Sequence, residues 1–287
     1  MLQLLSLPCM QHATDMHLTG SSRWVDSPLV QTAVLGLPRL DFLDMAAGPE
    51  TKLLPSAFAL ASKLTAVNVE VWGEHPPPGS LRALRLAPAL TSLSVGFYEH
   101  LSPLPRDLPW CLPPTLTDLS LLGVDVSRAE TRPLLKALFS HTPLLVSLEL
   151  SSVSLAVILR GLLDAGMAAL PSLRSVKFES IGPADVSVGI QPDLLEPIFR
   201  RFVHRFPQAI VRIVFDEDAW DDMELLLTVQ LQYAGWPSVE LYWTFTDERI
   251  SGPPVPHPSD DDPGSDVDVL EDPLASEERS CSDNAGH

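Results

Sequence analysis

One short pattern of apolar residues recurs seven times along the chain. Each copy has an apolar anchor, two variable residues, a second apolar residue, one variable residue and a third apolar residue. The clearest copy contains Leu116, Leu119 and Leu121. The seven anchors follow one another at steps of 27, 24, 26, 26, 29 and 28 residues; they are Ala13, Leu40, Leu64, Leu90, Leu116, Leu145 and Leu173. Self-similarity at a period in the twenties predicts an array of stacked repeats.

The form LxxLxL at this period is typical of the leucine-rich repeat solenoid, and it predicts an α/β fold. The last two apolar residues of each copy lie on one side of a short strand, because side chains of a strand alternate between its faces. Segments with helical spacing lie between the copies, for example after Pro28, Ser154 and Pro192. We therefore expect a curved parallel sheet on the concave side and helices and loops on the convex side.

Prolines mark the place where each helix ends and the next strand begins. A proline lies two residues before five of the anchors; these are Pro38, Pro88, Pro114, Pro143 and Pro171. Proline cannot continue a helix, and it favours an extended conformation in the residue before it. The proline-rich stretches 72–80 and 101–114 are predicted to be loops or irregular turns that cannot form helices.

The spacing divides the chain into a repeat domain at residues 1–250 and a tail at residues 251–287. The domain would contain about eight repeats, the eighth anchored at Ile210, and a terminal cap strand that begins at Val239. The tail has ten acidic residues and one arginine. Its few apolar residues cannot offset the chain entropy lost on folding, so we predict that the tail is disordered.

The composition argues against several classes of partner. The formal net charge is −18, which disfavours nucleic acid and anionic membranes, because both attract Lys and Arg. The sequence has no run of about twenty apolar residues, so we expect no membrane span. Cys9, Cys111 and Cys281 are too widely spaced for a disulfide framework or a metal pair, which favours the cytoplasm or the nucleus. We expect a monomer.

The sequence contains no recognisable catalytic or cofactor motif. The eight histidines are scattered, and none lies at metal-ligand spacing from another His or Cys. The acidic segment 216–224 suggests calcium, but it lacks the glycine and the final glutamate of an EF-hand loop. A solvated loop before a helix is the alternative. The patterns of serine hydrolases, zinc proteases and P-loop enzymes are absent. We therefore predict a protein that is not an enzyme and has no cofactor or metal.

The repeat register places two columns of candidate protein-binding residues on the concave face. The central column would contain His17, Asp44, Asn68, Ser94, Ser120, Glu149, Lys177 and Val214. The column before it would contain Asp15, Phe42, Ala66, Ser92, Asp118, Ser147, Ser175 and Arg212. Small residues in the middle, together with Asp44, Asp118 and Glu149, suit a protein partner that lies close to the sheet and carries positive charge. The alternative is that these polar residues only keep the sheet solvated.

The turns before the anchors carry a resemblance to one protein family. The segments Leu37–Leu40 (LPRL) and Leu170–Leu173 (LPSL), with the apolar residues that follow, are similar to the leucine-rich repeats of fungal F-box proteins. The resemblance covers residues 8–250. It implies substrate recognition for a cullin-type ubiquitin ligase. No F-box is recognised, so a Skp-type adaptor is expected only if an F-box lies upstream of Met1. The alternative is a scaffold or regulator unrelated to ubiquitination.

The repeats depart from the usual leucine-rich pattern at the ninth position. Ordinary repeats carry an asparagine there, whose side chain bonds the neighbouring backbone. Here the position holds Ser21, Gly48, Trp72, Tyr98, Val124, Val153 and Ile181. We therefore expect the repeats to stack through apolar packing, for example at Val124, Val153 and Ile181, and we expect Val153→Asp to unfold the array.

Overall fold

A computed structural model describes residues 8–18, 26–48, 51–71, 79–97, 102–125, 131–151, 155–165, 170–181, 192–215 and 239–243. All of these residues belong to one unit, residues 1–254, and residues 255–287 are a separate unit. The predicted tail and the acidic segment 216–224 lie outside the described residues, as does Val153.

Eleven strands are found in the described ranges. They are β1 (Asp15–Leu18), β2 (Phe42–Ala47), β3 (Ala66–Val71), β4 (Ser92–Phe97), β5 (Ser102–Pro103), β6 (Asp118–Leu122), β7 (Val124–Asp125), β8 (Ser147–Ser151), β9 (Ser175–Ile181), β10 (Ile210–Phe215) and β11 (Val239–Trp243). Nine of them form one sheet in chain order, and β5 pairs with β7 in a second, two-stranded sheet. All pairings are parallel. The predicted α/β architecture, with a parallel sheet flanked by helices, is therefore confirmed, and β11 lies at the residues where a final strand was predicted.

Helices connect the strands of the large sheet. The α-helices are α1 (Pro28–Leu35), α2 (Pro55–Leu60), α3 (Leu108–Cys111), α4 (Thr131–His141), α5 (Leu155–Ala165) and α6 (Pro192–Arg205), and the 3-10 helices are Pro8–His12 and Ser80–Leu86. From α1 onwards each helix packs against the helix of the next repeat, so that the helices form a layer of their own. The helices predicted after Pro28, Ser154 and Pro192 are all present.

The apolar residues of the repeat pattern form the core between the sheet and the helices. Leu119 and Leu121 of the clearest copy are both buried, and the corresponding residues of the other repeats join them in one continuous cluster. Among the described residues, the largest fully buried side chains are Phe58, Phe139, Phe178, Phe199 and Phe202. Because each such side chain stabilises the fold by about 1.5–3 kcal/mol when it leaves water, the pattern that defines the repeats also holds them together.

A repeated turn sets the register of the strands. In each turn the anchor N–H bonds the carbonyl three residues earlier, as Leu90 does with Ala87 and Leu173 with Leu170. The next two N–H groups then share one carbonyl of the preceding repeat. In the central example, the carbonyl of Thr65 accepts from Thr91 at 2.9 Å and from Ser92 at 3.0 Å. The same shared bond recurs from β2 to β9, so each strand begins at the same level of the sheet.

One prediction about the proline-rich stretches is wrong. Within residues 101–114 the segment Leu108–Cys111 forms a single α-helical turn, and Ser102–Pro103 forms β5. Pro109 lies in the first turn of the helix, where the missing N–H has no helical partner to lose. Of the stretch 72–80, the structure describes Gly79, which has a φ of +81°, and Ser80, which begins a 3-10 helix.

The expectation that the repeats stack through apolar packing alone is also incomplete. Val124 is fully buried, as expected. However, Gln31 of α1 donates to the carbonyl of Lys52 at 2.9 Å and accepts from the N–H of Leu54 at 2.6 Å. The hydroxyl of Ser151 likewise accepts from the N–H of Gly123 in the preceding repeat at 2.7 Å. At these two places a polar side chain, and not apolar packing alone, joins neighbouring repeats.

Candidate functional site

The strand register brings the predicted central column together on one face of the sheet. Consecutive Cα partners in this column are His17, Asp44, Asn68, Ser94, Ser120, Glu149 and Lys177. Beside them run Asp15, Phe42, Ala66, Ser92, Asp118, Ser147 and Ser175. We call the face that carries both columns the polar face. The opposite side chains of each strand point into the core, so β3, for example, alternates between half-buried and buried residues.

Arg212 lies on the polar face, but in a different column from the one predicted. It pairs with Lys177, and Ile210 takes the place opposite Ser175. Arg212 therefore occupies the position in the central column that was assigned to Val214. The prediction that Ile210 is the anchor of the eighth repeat is therefore wrong.

Arg212 was placed in the wrong column because the spacing of apolar residues does not reveal the turn that precedes β10. The N–H of Ala209 bonds the carbonyl of Phe206 at 3.0 Å, which is the bond made by the anchor in the other repeats. Ala209 is therefore the anchor, and this repeat has one residue fewer between the anchor and the column. Pro207 lies two residues before Ala209, as in the other turns, and this was the signal available in the sequence.

At the N-terminal end of the central column, Asp44 is held between two neighbours. Its Oδ2 atom lies 3.0 Å from Nδ1 of His17, and its Oδ1 atom accepts a hydrogen bond from Nδ2 of Asn68 at 2.9 Å. The Asp44 side chain is 12% exposed and that of His17 is 60% exposed. The His17 ring also packs against Phe42, with 5.5 Å between centroids. Side chains from three consecutive strands are therefore fixed relative to one another, with the imidazole outermost.

At the C-terminal end, two ion pairs continue the column. Nζ of Lys177 lies 2.9 Å from Oε1 of Glu149, and Nε of Arg212 donates to Oε2 of Glu240 at 3.0 Å. Glu240 is the Cα partner of Arg212 and extends the column to β11. Sequence reasoning missed Glu240 because it treated β11 only as a cap. The alternation of Val239, Glu240 and Leu241 was the available signal.

Small side chains form the middle of the polar face. Ser94 and Ser120 are half-buried and lie between Asn68 and Glu149 in the central column. Adjacent strands lie about 4.8 Å apart, so the three strand steps from Asn68 to Glu149 span roughly 14 Å. Asp118, at the edge of this middle section, is exposed and accepts a hydrogen bond from Oγ1 of Thr117 at 2.6 Å.

The acids of the polar face differ in how far they are already neutralised. Of the three acids that suggested a positively charged partner, Asp44 is bonded by His17 and Asn68, and Glu149 is paired with Lys177. Asp118 is the most exposed of the three and neighbours the serines of the middle section. Among these three acids Asp118 is therefore the one most open to a positively charged group, and Asp15 at the N-terminal end of the same face is likewise exposed.

The described residues can also be assessed for metal binding and for the reactivity of Cys111. They contain no cluster of three His, Cys, Asp or Glu side chains that could hold a metal ion. Burial, and secondarily the charge of Asp107, raises the pKa of the Cys111 thiol to about 12. This cysteine is therefore neutral near pH 7 and a poor nucleophile, because the thiolate is the reactive form.

A scan against protein-family models finds no match, and a search of curated proteins finds none either. No helix within the described ranges is long and apolar enough to cross a membrane. The resemblance to the repeats of F-box proteins therefore stays a prediction from the sequence.

Proposed function

We propose that this chain is a leucine-rich repeat protein whose polar face binds a protein partner without catalysing a reaction. The observation that carries the proposal is the ordered central column, in which bonded side chains at both ends flank a middle section of serines. Polar groups that are fixed in advance lose little conformational freedom when a partner arrives, so more of the contact energy is retained as affinity.

The dimensions of the middle section suggest the shape of the partner segment. An α-helix with its side chains is about 10–12 Å across, and the section between Asn68 and Glu149 spans roughly 14 Å. A single helix or an extended segment of a partner would fit against Ser94 and Ser120. A basic side chain on that segment would reach Asp118, whose carboxylate is exposed.

The repeat turns support a narrower version of the proposal. Hydrogen-bonded turns of the form apolar-Pro-x-apolar end at Leu40, Leu90 and Leu173, and Phe206–Ala209 adds another. The turns that end at Leu40 and Leu173 carry the resemblance to fungal F-box proteins, in which the repeats recognise substrates of a cullin-type ubiquitin ligase. Co-purification of a Skp-type adaptor with the full-length gene product would favour that role. Its absence would favour a stand-alone scaffold or regulator.

We further propose that the protein acts in the cytoplasm or the nucleus. Cys9 and Cys111 are both free thiols in the described residues, as expected in a reducing compartment. Fractionation of cells that express a tagged chain, with compartment markers as controls, checks this assignment.

The polar face can be tested by blocking its middle section. Ser120→Arg places a long charged side chain where the partner would lie, and Arg160→Glu on the exposed side of α5 serves as the control. Affinity purification with mass spectrometry should recover a partner with the wild-type chain and with Arg160→Glu, and should lose it with Ser120→Arg. Equal recovery of every partner by a folded Ser120→Arg variant would refute binding at this face.

A further inference from the structure

Large exposed apolar side chains lie on the helices and turns of the array. Among the described residues these side chains are Leu29, Leu60, Leu86, Trp110 and Leu144. Aromatic side chains and Arg are enriched at the centres of protein interfaces and carry much of the binding energy, while the apolar contacts around them exclude water. The helix layer thus has features of an interface that the polar face of the sheet does not share.

Three of these residues come from consecutive elements of the helix layer. Leu60 ends α2 and Leu86 ends the following 3-10 helix, and each directly precedes the residue whose carbonyl bonds the next anchor. Trp110 belongs to α3, which packs against that 3-10 helix. The Trp110 ring also meets His141 of α4 edge-on, with 6.0 Å between centroids. The three apolar side chains therefore belong to three neighbouring repeats.

Cations accompany each of the three residues. Lys63, Arg85 and Arg106 are exposed and lie within four positions of Leu60, Leu86 and Trp110 respectively. The charge of Arg85 also acts on the thiol of Cys111, which places this arginine close to α3. We call the set of Leu60, Leu86, Trp110, Lys63, Arg85 and Arg106 the helix-side patch.

Asp107, which directly follows Arg106 in the chain, is already bonded within the protein. Asp107 accepts a hydrogen bond from the N–H of Gly79 and a weak one from the thiol of Cys111 at 3.8 Å. Its charge is therefore partly compensated by donors of the protein, whereas Lys63 and Arg85 are exposed cations. A chain with a net charge of −18 thus has a patch that combines apolar side chains with positive charge.

We propose that the helix-side patch is a second docking surface and that its occupant is an acidic amphipathic helix of a protein partner. Packed helices lie about 8–10 Å apart, and seven residues of a helix rise about 10.5 Å. Apolar side chains seven positions apart on the partner would therefore meet Leu60, Leu86 and Trp110 in turn. Carboxylates between them would pair with Lys63 and Arg85. The proposal does not depend on the function assigned to the polar face.

The test uses the full chain and a designed peptide of about three heptads, with leucine at one position of each heptad and glutamates flanking it. A scrambled peptide has the same composition but no apolar stripe. Fluorescence anisotropy should show binding of the designed peptide and at least about tenfold weaker binding of the scrambled one. Hydrogen exchange should show protection at the ends of α2 and of the 3-10 helix and in α3.

Variants separate the patch from other surfaces. Leu86→Ser should weaken peptide binding about tenfold, whereas Leu29→Ser, which changes an exposed leucine on α1, should leave it unchanged. Arg85→Glu should also weaken binding, and its effect should shrink as salt is added. Ser120→Arg on the polar face should have no effect, so the two binding proposals can fail independently.

Three results would overturn the proposal. They are equal binding of the scrambled peptide, an equal loss for Leu29→Ser and Leu86→Ser, and full competition by a short DNA duplex, which would indicate a general polyanion site. Because Leu86 is 49% exposed, its replacement should leave the unfolding midpoint nearly unchanged, and this measurement excludes unfolding as the cause of weak binding.

Discussion

Nε of Arg212 donates a hydrogen bond to Oε2 of Glu240 at 3.0 Å, and this ion pair joins the last two strands of the sheet across the polar face. The two side chains are 43% and 15% exposed. An ion pair of this exposure contributes only about 0–1 kcal/mol to the free energy of unfolding, because solvent screens it. The pair therefore serves more to fix the position of Arg212 than to stabilise the sheet.

A double-mutant cycle measures how much this ion pair contributes to the free energy of unfolding. Arg212→Gln and Glu240→Gln should each lower the free energy of unfolding by less than about 1 kcal/mol, with a coupling of about 0.2–1 kcal/mol between them. Urea denaturation of the two single variants and the double variant gives these values. A coupling well above 1 kcal/mol would show that the pair is more strongly desolvated than its exposure indicates.

Replacement of Gln31 should destabilise the array more strongly. Its side-chain amide bonds the carbonyl of Lys52 and the N–H of Leu54, and the residue is 5% exposed. Gln31→Ala leaves both backbone groups without this partner, which costs about 1–3 kcal/mol for each group that water cannot reach. Thr32→Ala removes an exposed hydroxyl that bonds the carbonyl of Pro28 and should cost less than about 0.5 kcal/mol. Equal losses in urea denaturation would contradict a bridging role for Gln31.

Alanine substitutions at Gly123 and Gly79 distinguish the cost of a steric clash from the cost of a left-handed backbone conformation. Both have positive φ, +69° and +81°. A Cβ at Gly123 would lie 2.0 Å from the carbonyl oxygen of Phe97, whereas a Cβ at Gly79 would meet nothing within 4 Å. Gly79→Ala should therefore cost about 1–2 kcal/mol from the left-handed backbone alone. Gly123→Ala adds a clash with the backbone and should cost about 3 kcal/mol or more. Similar thermal midpoints for the two variants would refute this interpretation.

The cysteines should differ in their reactivity towards alkylating agents. Cys111 is buried with its pKa raised to about 12, whereas Cys9 is exposed. Iodoacetamide at pH 8 should label Cys9 in the native protein and should label Cys111 only after denaturant is added, which peptide mapping by mass spectrometry would show. Rapid labelling of Cys111 in the native state would mean that α3 opens easily.

The same pKa shift predicts a loss of stability at high pH. The thiol of Cys111 keeps its proton in the folded state to about pH 12, whereas its ordinary pKa is 9.0. The unfolded chain therefore releases this proton first, and the stabilisation is complete below pH 9 and is lost as pH rises from 9 towards 12. Cys111→Ala should flatten this part of the curve of unfolding free energy against pH. An unchanged slope would exclude Cys111 as its source.

Spacing was a reliable guide wherever the anchor was unambiguous. The positions of Asn68, Ser94 and Ser120 in one column follow from anchors at Leu64, Leu90 and Leu116, because a strand alternates its side chains strictly. The same reasoning misplaced Arg212, because the apolar run Ile210, Val211, Ile213 and Val214 fits more than one register. In the structure Val211 and Ile213 are fully buried, which leaves Arg212 on the polar face.

Local sequence rules were least reliable at α3. Pro105 precedes this single turn, Pro113 and Pro114 follow it and Pro109 lies within it, so the segment has little helical preference of its own. Its packing against the 3-10 helix and against α4, with Leu108 and Cys111 buried, compensates for that weak preference. Packing of this kind involves residues that are distant in sequence, so the local pattern of prolines could not predict it.

The sequence by itself determined the period of the repeats, the apolar core and the polar character of one sheet face, because these depend on residue type at regular spacing. Only the tertiary structure decided which charged residues meet. Glu149 and Lys177, like Arg212 and Glu240, belong to successive repeats, and parallel pairing brings each pair to about 3 Å. It also decided that Leu60 and Leu86 stay in water at the helix ends, since burial depends on what the rest of the chain covers.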